Sequence, residues 1–201
     1  MKKILILLIL TFSFAKTYSQ AYKEGNVIVS AGYGFGTFSN IIAKAFDQEL
    51  DFKYSSLGPV YLKGEYMVSS NVGFGLNIAY GSYAVDFSTA VDTNFDGFSD
   101  IKYKNKFKRT TTSALARFNF HFGNSEKFDP YLGLGMGWRT ANYTNDYSDP
   151  DYQNTTDFNV AFPLGFETTI GARYYVVPAI GIYGEVGLGK SFFQVGLSGK
   201  F

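Results

Sequence analysis

The stretch LGLGMGW, residues 132–138, decides how this chain folds. Large apolar side chains (Leu132, Leu134, Met136, Trp138) hold one parity and glycine (Gly133, Gly135, Gly137) holds the other, with Arg139 next in the glycine register. A period of two is a β-strand, so one face is apolar and the other nearly bare. Glycine weakens a strand and has no reason to fill every second place on a water-facing surface, where Thr, Lys or Glu would serve better. It does have a reason on the concave face of a narrow closed sheet, where side chains converge and room is scarce. The stretch therefore predicts a sheet turned inside out, with its apolar side chains outward and its glycines within.

The same period recurs eight times, predicting strands over 26–38, 56–68, 72–85, 107–122, 130–142, 158–174, 179–189 and 191–201. Val72, Phe74, Leu76, Ile78 and Tyr80 oppose Gly73, Gly75, Asn77 and Gly81, and Ala114, Ala116, Phe118, Phe120 and Phe122 oppose Ser113, Arg117, Asn119 and His121. The second, fourth, sixth and eighth strands turn larger polar groups to the glycine side, among them Lys63, Glu65, Arg117, His121, Glu167, Arg173, Gln194 and Lys200. Neighbours in an up-and-down barrel are odd beside even, so these groups can fold into the space the glycines leave. The expected interior is filled, with Lys63, Glu65, Arg117, Arg139, Glu167, Arg173, Glu185 and Lys200 in a charge network. Arg117, Arg139, Glu167 and Glu185 fall near mid-strand and are expected to neutralise one another, since an unpaired buried charge is costly.

Connections alternate. Residues 39–55, 86–106 and 143–157 are long and polar, 69–71, 123–129 and 175–178 are brief, and the seventh, at Gly189 and Lys190, breaks the rhythm by being short. With 201 residues, 21 Phe, 16 Tyr and 22 Gly against 5 Pro, the chain suits one β-rich domain. It has no Cys, so neither disulfides nor a thiol-linked lipid is available to it.

The N-terminus opens with Lys2 and Lys3, continues in an uncharged apolar run from Ile4 to Ala15 and ends in small residues. That run is too short for a transmembrane helix and reads as a cleaved signal peptide over 1–20, with the domain at 21–201. Of the 18 basic residues, Lys2, Lys3 and Lys16 leave with it, so the mature domain carries 15 against 17 acidic. Nucleic acid calls for a basic footprint, which this balance does not supply, so none is expected as a partner. No later stretch approaches a membrane helix, so any membrane role falls to the strands. In a bilayer every backbone N–H and C=O must be paired, and closure is the β arrangement that achieves it.

The expected fold is thus all-β: an eight-stranded antiparallel up-and-down transmembrane β-barrel preceded by a cleaved signal peptide. Over essentially all of the mature chain the sequence resembles the small OmpA/OmpX-type outer-membrane β-barrel family. The ending FFQVGLSGKF, residues 192–201, carries part of that resemblance. Phe193, Val195, Leu197 and Phe201 look like the carboxy-terminal signal read by the outer-membrane insertion machinery. The resemblance implies a bacterial outer-membrane location with both termini in the periplasm and long loops outside the cell. With the sequence stopping at Phe201, the peptidoglycan-binding domain that larger relatives carry is expected to be absent. The short seventh connection departs from the family's four long loops.

Two loops carry candidate chemistry. In DTNFDGFSD, residues 92–100, Asp92, Asn94, Asp96 and Asp100 fall at positions 1, 3, 5 and 9 of an EF-hand-like loop. Gly97 sits at the turn and Phe98 is placed to offer its carbonyl, which suits Ca²⁺. Position 12 is Tyr103 rather than a bidentate Glu, and the same residues also suit a plain Asp/Asn/Gly turn. Residues 145–157 carry four Asp and no basic group, which fits a solvated loop or one that meets cations. His121, the only histidine, lies beside a short connection and reads as structural.

No nucleotide, zinc or nucleophile motif is present. The expected function is therefore non-enzymatic, with an envelope-structural, adhesive or binding role carried by extracellular loops. A narrow channel for ions or small solutes is the first alternative, and a lipid-modifying enzyme or protease of the outer membrane the second. The expected partners are outer-membrane lipid, the insertion machinery and an unidentified extracellular ligand, with the barrel a monomer and no cofactor beyond Ca²⁺.

Overall fold

The computed structural model describes residues 21–37, 52–91, 101–147, 158–159 and 163–201. Nine strands follow in chain order: β1 (Val27–Phe35), β2 (Phe52–Met67), β3 (Val72–Val91), β4 (Ile101–His121), β5 (Phe128–Tyr147), β6 (Phe158–Asn159), β7 (Leu164–Val177), β8 (Ile180–Leu188) and β9 (Phe193–Lys200). All pairings are antiparallel, and the sheet closes on itself through β1–β9 and β4–β5. β6 and β7 both pair with β5 and act as two pieces of one barrel strand, so the barrel is eight-stranded. The signal-peptide segment and Asp92, Asn94, Asp96, Phe98 and Asp100 lie outside the described residues.

Orientation follows the glycine argument. Phe74, Leu134 and Val195 are 49%, 41% and 50% exposed on the outside of the barrel, whereas Glu167 is 3% exposed within it. The outer face forms a continuous apolar band far beyond the few hundred Å² that water tolerates on a monomer. Aromatic rings edge it on both sides: Tyr66, Phe120, Phe122, Phe128, Tyr174 and Phe201 towards the short turns, Phe35, Tyr80, Trp138 and Phe193 towards the long connections. Such paired girdles mark the two interfaces of a bilayer.

The strand ends depart from expectation in three ways. β2, β3, β4 and β5 run well past the predicted strand ends, into what reads as loop in the sequence. There the polarity of the two faces reverses: Lys104, Lys106 and Lys108 point outward, while Tyr83, Phe107 and Tyr143 stack on the concave side. A strand that has left the lipid band meets water on its outer face, so polar residues there no longer signal its end. β1, β8 and β9 stop low, leaving one wall tall and the other short. Finally, the predicted strand over 158–174 is broken. Trp138 pairs with Leu164 but Asn142 with Asn159, so β5 advances four residues while the opposite strand advances five. Pro163 lies in that gap, where its missing N–H cannot join the ladder.

Candidate functional site

The lumen is packed with charge in two linked groups. In the middle, Glu185 accepts from Lys63 Nζ (2.8 Å), Arg117 Nη2 (2.8 Å) and the Tyr131 hydroxyl (2.7 Å). Arg117 also engages Glu167 through Nη1, Thr169 through Nη2 and Asn119 through Nε, so each of its three nitrogens has a partner. Asn77 donates to both oxygens of Glu167, at 3.0 and 3.1 Å, and Lys63 also reaches Gln194 Oε1 at 2.7 Å. Each of these residues is almost completely buried.

Nearer the short-turn end, Arg173 Nη2 lies 2.6 Å from Glu65 and Nη1 lies 3.6 Å from Asp129. His121 bridges the same two carboxylates, Nδ1 to Asp129 at 2.9 Å and Nε2 to Glu65 at 2.8 Å. Both ring nitrogens thus face acceptors, an arrangement in which the imidazolium alone supplies two donors. With that proton, Lys63, Arg117, His121 and Arg173 balance Glu65, Asp129, Glu167 and Glu185. Tyr22, in the segment before β1, closes this end: its hydroxyl meets Tyr175 OH at 2.8 Å and accepts from Arg173 at 3.1 Å. Burial pushes the Tyr22 phenol well above its ordinary range, so it stays neutral.

Two of the expected network residues stand elsewhere. Lys200 is only half-buried, donates to the Ala21 carbonyl at 2.8 Å and lies 4.7 Å over the Tyr175 ring. Arg139 forms no ion pair among the described residues, and its Nε and Nη2 are buried without a hydrogen-bond partner there. Asp129 and Tyr131, outside the expected network, are central to the lumen, as are Asn77 and His121, whose inward parity the sequence shows. Asp129 closes the short connection 123–129, and Tyr131 carries no charge by which the sequence would mark it.

The opposite end is closed by the short connection between β8 and β9. Ser191 turns inward to meet Tyr61 OH at 2.8 Å, and Lys190 reaches across to the carbonyls of Ala79 (2.8 Å) and Thr111 (3.1 Å). Gly189 sits over Glu167, where a Cβ would lie 3.1 Å from its Cγ. Above this stopper is a cavity of about 170 Å³ bordered by Ser56, Tyr83, Arg109, Thr111, Arg139 and Lys190. Arg109 lies against two rings, 5.9 Å from Tyr83 and 5.4 Å from Tyr143. Lys190, in the turn rather than in a strand, has its pKa lowered to about 7 by burial, with Arg139 and Arg109 adding to the effect.

Phe193, Val195 and Leu197 project outward from β9, and Phe201 follows them. The last strand is zipped to the first: Phe201 N donates to Val27 O at 2.8 Å and Val27 N to Phe201 O at 2.9 Å.

Several solved structures align with the chain. The outer membrane protein OprG of Pseudomonas aeruginosa aligns with a TM-score of 0.50 and 16% identity, over 91% of this chain and 99% of its own. The N-terminal β-barrel domain of OprF from the same organism aligns with a TM-score of 0.43 and 16% identity, over 89% of this chain and 98% of that one. Ail of Yersinia pestis aligns at 0.43 and 16%, over 89% and 99%. No curated protein matches the chain in sequence. The outer membrane protein beta-barrel domain matches residues 4–201, so the chain belongs to that family, whose members are bacterial outer-membrane barrels.

Proposed function

We propose that this protein is a non-enzymatic, non-conducting outer-membrane barrel that works by binding at its outer end, in an envelope-structural or adhesive role. Residues 1–20 act as a cleaved signal peptide, both termini face the periplasm, and the tall wall of β2 to β5 stands outside the cell. Phe193, Val195, Leu197 and Phe201 serve the insertion machinery and then meet lipid, and the barrel is monomeric. Ca²⁺ on Asp92, Asn94, Asp96, Phe98 and Asp100 belongs to the same outer surface.

The observation that carries this reading is the occluded lumen. Four cationic and four anionic side chains pair across it, and the Lys190 turn and Tyr22 close its two ends. An eight-stranded barrel has room for side chains and little else. Catalysis is disfavoured because His121 is saturated by two carboxylates at the end away from the outer mouth.

Planar-bilayer recording on the detergent-refolded chain tests the reading. The expected result is an unchanged baseline after insertion is verified by heat-modifiable gel mobility. Reproducible single-channel steps would transfer the assignment to a narrow channel.

A further inference from the structure

We infer that the bond hydrolysed when the N-terminal segment is removed is Ser19–Gln20, so that the mature chain begins at Gln20 and keeps Ala21 and Tyr22 as the stopper of its short-turn end. The inference rests on the reading of that segment as a cleaved signal peptide and moves its end from residue 20 to residue 19.

A signal peptidase requires small side chains one and three residues before the bond it cuts. Two bonds at the end of the segment offer them: Ser19–Gln20, with Ser19 and Thr17, and Ala21–Tyr22, with Ala21 and Ser19. The bond between them, Gln20–Ala21, puts Gln20 and Tyr18 in those places and fails the requirement. The sequence pattern leaves two bonds open, and the fold separates them because it uses atoms on both sides of the second.

Ala21 and Tyr22 are 8% and 3% exposed and share one cluster with Ile28, Met67 and Tyr175. The Ala21 carbonyl accepts from Nζ of Lys200, the last residue of β9, at 2.8 Å. Tyr22 meets Tyr175 and Arg173 through its hydroxyl, and its ring lies 5.0 Å from the His121 ring and 5.7 Å from Lys200 Nζ. Gly25 N then donates to Met67 O at 2.9 Å and Asn26 Nδ2 to Phe201 O at 3.2 Å. Residues 21–26 therefore tie β2, β7 and β9 together across one end of the barrel.

Hydrolysis adds one water, leaving a carboxylate on the departing segment and an α-ammonium on the mature chain. At Ala21–Tyr22 the departing segment would carry away the acceptor of Lys200. The new ammonium would form on Tyr22 N, the atom bonded to that carbonyl carbon, so two cations would face each other where a hydrogen bond stood. Like charges that close repel. At Ser19–Gln20 the Ala21 carbonyl and the Tyr22 amide both stay in the chain, and the ammonium forms two residues away. The peptidase meets the chain extended, so the fold does not shield the second bond. A fold that places Lys200 on the Ala21 carbonyl instead requires processing that keeps Ala21.

The test is expression of the full chain with its own N-terminus in a Gram-negative host, isolation of outer membranes and digestion with a glutamate-specific protease. Tandem mass spectrometry should find Gln20–Glu24 as the first peptide, its glutamine open or cyclised with loss of ammonia. A first peptide beginning at Tyr22, or at any other residue of the segment, would overturn the inference while leaving a cleaved signal in place. One beginning at Met1 would sink the cleaved signal itself. A second measurement addresses the structural cause. Chains beginning at Gln20 and at Tyr22, released from a cleavable fusion with no extra residue, are refolded in detergent and titrated with urea. The Tyr22 chain should show an unfolding constant at least ~10-fold larger, as losing a charge-assisted bond implies. Lys200→Met in both chains should shrink that ratio. Equal midpoints for the two parent chains would remove the basis of the inference.

Discussion

At Gly171 the barrel wall leaves no room for a side chain. A Cβ there would lie 2.7 Å from Glu185 Cγ, 2.8 Å from Tyr131 Cζ and 2.9 Å from the Gly184 carbonyl oxygen. Gly64, on the lipid face of β2, meets nothing within 4 Å. The same substitution should therefore have opposite outcomes. Gly171→Leu overpacks the wall and strips Glu185 of Tyr131, for a combined cost of about 2–5 kcal/mol in urea unfolding of the detergent-folded protein. Gly64→Leu should stay within about 0.5 kcal/mol of the parent. Equal responses would mean that the two faces are not distinct. The inward parity of Gly171 is legible in the sequence because glycine alternates with apolar residues. Its contact with Tyr131 is not, because that depends on which rotamer a residue on a neighbouring strand adopts.

Among the elements, the segment before β1 does more than its sequence suggests. Ala21 and Tyr22 are buried with Ile28, Met67 and Tyr175 in a small apolar cluster at the short-turn end, below the Arg173 layer. A single aromatic in a short polar stretch has no periodicity, so nothing marks Tyr22 as a plug before the structure is known. Tyr22→Ala should lower stability by about 3–5 kcal/mol, the usual loss for a buried ring. Tyr22→Phe, which keeps the ring and gives up only the bonds to Tyr175 and Arg173, should lose about 1 kcal/mol. Urea midpoints that rank the two variants in the reverse order would show that the ring is not packed there. The break between β6 and β7 is the complementary case: apolar alternation through Phe158, Val160, Phe162 and Leu164 reads as unbroken strand, yet Pro163 stands at the register change. Pro163 was visible in the sequence and outweighed by the period around it. The extension of β3 and β4 was hidden for a different reason, because the period persists there while the chemistry of the two faces is exchanged.

For the whole molecule, the solvent is what makes this sequence consistent. An exposed apolar band and a charged interior would be incompatible with stability in water, whereas lipid reverses both preferences and closure satisfies the backbone. The sequence carried this reversal in its glycine and charge parity, and it carried the need for β9 to meet β1. What it did not carry was the division of the charged groups between a neutral lumen core and a separate basic vestibule. Arg117 and Arg139 share a parity, but Arg139 stands opposite Ser113, four residues beyond Arg117 along β4, where it borders the cavity above the inward-folded β8–β9 turn. If lipid surrounds the band, the cost of a charge on it must depend on depth. Leu134 lies midway along the lipid-facing stretch of β5 and Phe122 lies in the girdle at the short-turn end, both about half exposed. In lipid vesicles, Leu134→Arg should destabilise the barrel by about 2–4 kcal/mol and Phe122→Arg by at most about 1 kcal/mol, as measured by reversible denaturant titration. In water both positions would accept arginine equally, so equal and small effects would remove the bilayer from the explanation of this fold.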